Sequence, residues 1–97
     1  MNEQEQVNEG YVIMESVTVG NARFVIGENP NHQAAPYVTW QANVKNDPNN
    51  FFWGHYCATK LDAVADFAQR INAEAEYLRE RAKANTAPLQ ERKERGE

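Results

Sequence analysis

His55 and Cys57 carry the most reactive side chains of this 97-residue chain, and they stand two apart in Phe51-Phe52-Trp53-Gly54-His55-Tyr56-Cys57. On an extended strand, residues two apart share a face, so a thiol and an imidazole could meet there as a nucleophile pair. That chemistry needs direct contact and a third group to orient the imidazole. Joined by His32, the same two residues could instead ligate a metal. Zinc, however, takes four ligands in recognisable pairs, and the chain has no Cys-x-x-Cys or His-x-x-x-His. The plainer account is a packed strand cysteine beside a surface histidine, and neither a metal nor a cofactor is expected. There is no Gly-rich phosphate loop, no G-x-S-x-G and no H-E-x-x-H, so none of the common catalytic motifs is represented. Asp47 before Pro48 is turn chemistry.

Asp62 and Asp66 form a carboxylate pair at i,i+4 spacing. At 100° per residue they share one band of a helix with Gln69, Ala73, Glu76 and Glu80, opposite the apolar residues. A pair on the solvent face, away from any cleft, is poorly placed for general acid–base work. Glu76 and Glu80 repeat the like-charge spacing, which costs a few tenths of a kcal/mol per pair in an isolated helix. The band is either a solvated face or an acidic stripe for docking on a basic groove. The sequence therefore points away from an enzyme.

The elements that position these residues follow from periodicity. Tyr11 to Val19 is rich in β-branched residues and reads as a strand. Gly20-Asn21 suits a two-residue type II′ hairpin turn, and Ala22 to Ile26 is the return strand. That loop sets Val19 opposite Ala22 and Val17 opposite Phe24, so Val17, Val19, Phe24 and Ile26 share a face. Residues 27–36 form a loop. Tyr37 to Val44 alternates Val38, Trp40, Ala42 and Val44 against Tyr37, Thr39, Gln41 and Asn43, the period of a half-buried strand. Residues 45–50 read as a polar turn and Phe51 to Ala58 as a fourth strand. Thr59 is a good N-cap with Asp62 at the third helical position. A helix follows from near Lys60 to about Ala84, ended by Asn85, Thr86 and Pro88. Its apolar stripe comprises Leu61, Val64, Ala65, Phe67, Ala68, Ile71, Ala75, Leu78 and Ala82.

The fold class expected is α+β: a four-stranded antiparallel sheet (ββββα) with one long C-terminal helix on one face. One helix covers one face only. The other face, with Tyr37, Thr39, Gln41, Asn43 and one aromatic set of the fourth strand, is then a binding surface or a dimer interface. The organisation expected is a disordered segment over 1–10, a single domain over 11–86 and a charged flexible tail over 87–97, because both ends lack the apolar surface that offsets ordering entropy.

The net charge is −4 and uneven. Residues 1–66 carry eight acids against three bases, whereas residues 67–97 carry seven bases and six acids. A phosphate-binding protein needs a basic patch, so direct nucleic-acid binding is disfavoured and a basic protein surface is the better partner. A single cysteine rules out an internal disulfide and suits a reducing cytoplasm. Neither a signal peptide nor a membrane span is expected.

The segment from Ala35 to Ile71 resembles small accessory proteins of plasmids and conjugative elements in Gram-positive bacteria. The shared pattern is a Tyr-Val-Thr-Trp strand (Tyr37 to Trp40), a Trp-Gly-His-Tyr strand (Trp53 to Tyr56) and a helix carrying Ala63, Asp66, Phe67 and Arg70. The resemblance implies a genetic setting in which small acidic inhibitors of host defence nucleases, anti-CRISPR and antirestriction proteins among them, are common. The function expected is a non-enzymatic inhibitor of a nucleic-acid-handling enzyme such as a Cas nuclease or its guide-RNA complex. Asp62, Asp66, Glu76 and Glu80 on the helix, with Tyr37, Trp53 and His55 on the sheet, would contact that partner. The alternatives are a homodimer formed through the exposed aromatic sheet face and a single-stranded nucleic-acid binder.

Overall fold

The Gly20-Asn21 pair sets the central hairpin of the computed structural model, which describes residues 5–86. Gly20 sits at φ 59° and Asn21 does not share a positive φ, as a type II′ turn requires. Strand β2 (Tyr11–Val19) thus pairs with β3 (Ala22–Glu28) in the register the turn dictates, with Val19 opposite Ala22 and Val17 opposite Phe24. Strand β4 (Tyr37–Asn43) continues the meander beside β3, and β5 (Asp47–Cys57) forms the far edge. All neighbouring strands are antiparallel.

The sheet has five strands rather than four. Val7–Asn8 is a short strand, β1, folded back on Tyr11 and Val12. Glu9 and Gly10 between them both take positive φ, 51° and 86°, the requirement of a type I′ turn. Part of the N-terminal segment expected to be disordered is therefore paired; residues 1–4 and the tail 87–97 lie outside the described residues. Strand β5 also begins earlier than the aromatic run, since Asp47 pairs with Asn43. Pro48 is tolerated there because β5 is an edge strand and owes no hydrogen bond on its open side.

The sheet curls. Bulges between Ile13 and Glu15 and along β4–β5 add twist, and the two edges approach each other across the concave face. Arg23 ties them: it donates to Gln6 Oε1 at 3.0 Å on the β1 side and to the Pro48 carbonyl at 2.7 Å on β5. Inside the curl, Tyr11, Val25, Val38 and Trp40 form the buried core, with Ile13 and Phe51 against it. The Trp40 ring stacks on Phe51 at 5.8 Å and meets Tyr11 edge-on at 5.7 Å. Gly54 permits this packing, since a Cβ there would stand 2.8 Å from Trp40 Nε1. The aromatic face expected to be open is thus filled from both edges by its own rings.

Helix α1 (Lys60–Thr86) crosses the opposite, convex face. Thr59 caps it, accepting from the Asp62 amide at 3.1 Å. The helix ends as far as described at Thr86, and the expected stop at Pro88 lies outside the described residues. Two expectations about packing are corrected. Tyr37, Thr39 and Gln41 lie under the helix, not on the face away from it. The helix is also rotated about its axis. Ala63, fully buried, and the half-buried Asp66, Phe67, Arg70 and Glu74 point to the sheet; of the expected apolar stripe, Phe67, Ile71, Ala75 and Leu78 are half-buried, while Leu61, Val64, Ala65 and Ala68 are exposed. The reason is polar satisfaction. Thr39 is fully buried beneath the helix and needs a hydrogen-bond partner, which an apolar stripe cannot supply and Asp66 can.

Candidate functional site

Four side chains from three elements meet on the β5 side of α1. Thr39 of β4 donates through Oγ1 to Asp66 Oδ2. His55 of β5 holds Nδ1 at 3.0 Å from Asp66 Oδ1 and 2.9 Å from Oδ2. Arg70, one turn after Asp66, reaches the same carboxylate through Nε at 3.3 Å. Register explains the convergence: Thr39 and His55 are cross-strand partners, and i,i+4 spacing puts Asp66 and Arg70 on one helix face. Nδ1 of His55 also lies 3.3 Å from Arg70 Nε. Its two closer carboxylate neighbours favour Nδ1–H donating to Asp66, which leaves Nε2 on the outer side of the ring.

Electrostatics follow from these contacts. Burial alone would push the Asp66 carboxyl up, but hydrogen bonds from Thr39 and His55 and the charges of His55 and Arg70 hold it below the ordinary value. Burial lowers the Arg70 guanidinium, and the Asp66 charge opposes that. Cys57 shows the opposite of activation. Burial raises its thiol and the charges of Asp66 and Asp62 raise it further, while Sγ contacts the His55 carbonyl at 3.8 Å. Reactive thiols are lowered by a cationic setting, so His55 and Cys57 are not arranged as a nucleophile pair. His32 is elsewhere: it accepts from the Ala35 amide at 3.0 Å and lies against Tyr11. Among the described residues, no group of three or more His, Cys, Asp or Glu could hold a metal ion.

Trp53 is the most unusual residue of the site. Its backbone sits at φ 55°, a left-handed conformation that a bulky side chain rarely adopts and that costs of order 1–3 kcal/mol. Arg70 Nη2 donates to the Trp53 carbonyl and fixes that conformation. The indole is 69% exposed and braced edge-on by Phe52 at 4.9 Å. Beside it opens a cleft of about 410 Å³ lined by Phe24, Gln41, Trp53, His55, Arg70 and Glu74.

The residues singled out in the sequence divide. Trp53, His55 and Asp66 come together here. Asp66 faces the sheet and not solvent, which corrects its place in the outer stripe. Asp62, Glu76 and Glu80 remain exposed on the outer helix. Glu76 is paired with Arg79 at 2.8 Å and Glu80 with Lys83 at 3.6 Å, so the stripe is partly neutralised. Tyr37 is half-buried at the other side of the helix, near Lys60, Val64 and Phe67. Sequence reasoning missed Thr39 and Arg70 as site residues. The available signal was Arg70 one turn after an acid, on a strand–helix pair with a histidine already in view.

The chain matches no protein-family model, no curated protein and no solved structure. Among the described residues, no helix is long and apolar enough to cross a membrane.

Proposed function

We propose that this protein is a non-enzymatic protein-binding inhibitor of a nucleic-acid-handling enzyme, with Trp53 as its anchor. The observation that carries this reading is the strained, Arg70-fixed backbone that presents an indole to solvent. Backbone strain concentrates at functional positions, and exposed, rigidly held tryptophans are typical anchors of protein interfaces. His55 and the adjoining cleft offer a partner one hydrogen-bonding ring and an apolar recess. Asp62, Glu76 and Glu80 flank that patch on the helix and suit a basic rim, where charge complementarity acts mainly on association rate and orientation. A channel that binds nucleic-acid phosphates has such a rim, and occupying it would compete with the nucleic acid. The Cas-type nuclease as the particular target rests on the sequence resemblance.

The test is capture of a Cas nuclease–guide complex by the tagged chain, with DNA cleavage assayed in parallel. Capture and loss of cleavage are expected, weakened at least tenfold by Trp53→Ala, about the 1.4 kcal/mol of one hot-spot residue. Joint charge reversal at Asp62 and Glu76 is expected to slow association and increase its salt sensitivity. Full cleavage without capture would eliminate this target. Capture unchanged by Trp53→Ala would eliminate the anchor.

A further inference from the structure

We infer that the opposite flank of the helix is a self-association surface, on which a second copy of this chain packs its own helix antiparallel. This goes beyond the proposed inhibitor function and uses none of its residues. Leu61, Val64, Ala68, Ile71, Ala75 and Leu78 recur at alternating spacings of three and four, the a/d repeat of a helix–helix seam. In an isolated fold such a stripe would face the sheet. Here Asp66 and Arg70 share the sheet-facing side, and the seam runs along its β2 edge: Ile71, Ala75 and Leu78 are half-buried, with Leu78 against Gly20, and the Leu61 end stands open. Leu61 is 81% exposed and Val64 43%.

The floor beside the seam is open as well. Met14 and Val17 of β2 lie on the helix side of the sheet and are exposed. Geometry explains the gap. The four longer strands, about 4.8 Å apart, span roughly 14 Å, and a single helix about 10 Å wide leaves the β2 edge uncovered. A second helix would complete the layer.

Three observations identify that helix as a copy of α1. First, residues 1–4 and 87–97 hold Met1 and Leu89 as their large apolar residues, too few to line such a helix. Second, the seam is self-complementary in the antiparallel sense. A two-fold axis between residues 69 and 70 places Leu61 on the partner copy's Leu78, Val64 on its Ala75 and Ala68 on its Ile71. Each inner layer thus pairs a large side chain with alanine, which allows close approach. Third, charge agrees with that direction. Glu15 and Glu28 line the groove at the Lys60 end and outnumber that lysine, and the antiparallel arrangement brings to these acids the far end of the second helix, where Arg79, Arg81 and Lys83 exceed Glu76 and Glu80 by one charge. The contact is isologous and closes as a dimer.

Sedimentation equilibrium of the full chain tests this, with mass followed as concentration rises to millimolar. Twice the chain mass is expected, and a monomer throughout would overturn the inference. Ala68 is exposed in a single copy, so Ala68→Glu is expected to return the mass to that of one chain with an unchanged circular dichroism spectrum. A dimer that persists in Ala68→Glu would place the interface elsewhere. Direction is read by oxidation in a Cys57→Ser background. Residues 61 and 78 lie about 26 Å apart along one helix, so a disulfide between them must join two chains. Mixing Leu61→Cys with Leu78→Cys chains is expected to give a mixed disulfide dimer, and neither variant alone is expected to cross-link. Like-with-like cross-links as the main product would overturn the antiparallel arrangement.

Discussion

The two flanks of helix α1 follow opposite rules. On the β5 side, charged residues are drawn in: Asp66 and Arg70 bond to Thr39, His55 and the Trp53 backbone. On the β2 side, the first turns of the apolar stripe are left out, with Leu61 and Val64 facing solvent beside Met14, while Ile71 and Leu78 further along are half-buried. A helix free to rotate would bury Leu61 and expose Asp66. The rotation observed teaches that one fully buried hydroxyl and an edge-strand histidine outweigh an apolar stripe that can still be covered by another chain. Burying the seam gains apolar area, about 25 cal/mol per Å². Leaving Thr39 unpaired under a helix costs about 1–3 kcal/mol, and orphaning a charge costs more.

The contrast between the flanks can be broken most severely at Asp66. Asp66→Ala leaves Arg70 and Thr39 without their shared acceptor and is expected to cost about 2–3 kcal/mol in urea unfolding. Leu61→Ala, at the matching position of the apolar flank, should change the unfolding free energy of dilute, monomeric chain by no more than about 0.5 kcal/mol.

A pH series sharpens the same point. The native Asp66 carboxyl is held below its ordinary 3.8. Its contribution is therefore fully present above that value and is lost as the pH falls through the lower native value. On the acid side, the stability gap between the wild type and Asp66→Asn should close only as the pH falls below 3.8. A gap that survived unchanged well below that value would assign the effect to another group.

Trp53 gives a smaller effect of known sign. Glycine relaxes a left-handed backbone and alanine does not, so Trp53→Gly should be more stable than Trp53→Ala by about 1 kcal/mol. Equal stability would mean that the backbone at residue 53 is unstrained. Both variants are expected to lose partner capture.

Much of this architecture was legible in the chain because it is set locally. The Gly20-Asn21 turn dictates the β2–β3 register, and Thr59 announces the start of the helix. The remainder depends on partners distant in sequence. Val7–Asn8 is too short to show periodicity and becomes a strand only because Glu9-Gly10 turns it onto Tyr11. Asp47-Pro48 has turn composition and is extended because the edge of β4 is there to pair with. Rotation of the helix depends on Thr39, whose need for an acceptor is invisible until the strand is placed beneath the helix. The same blindness hid Arg70, whose role at Trp53 depends on a bulge that no local pattern marks.

The rotation is tested most directly by a double-mutant cycle between Thr39→Val and Asp66→Asn, read by chemical unfolding. With Asp66 turned onto the sheet, the two changes should couple by about 1 kcal/mol or more. Additivity within about 0.3 kcal/mol would return Asp66 to solvent and the apolar stripe to the sheet, and with it would go the division between the two flanks.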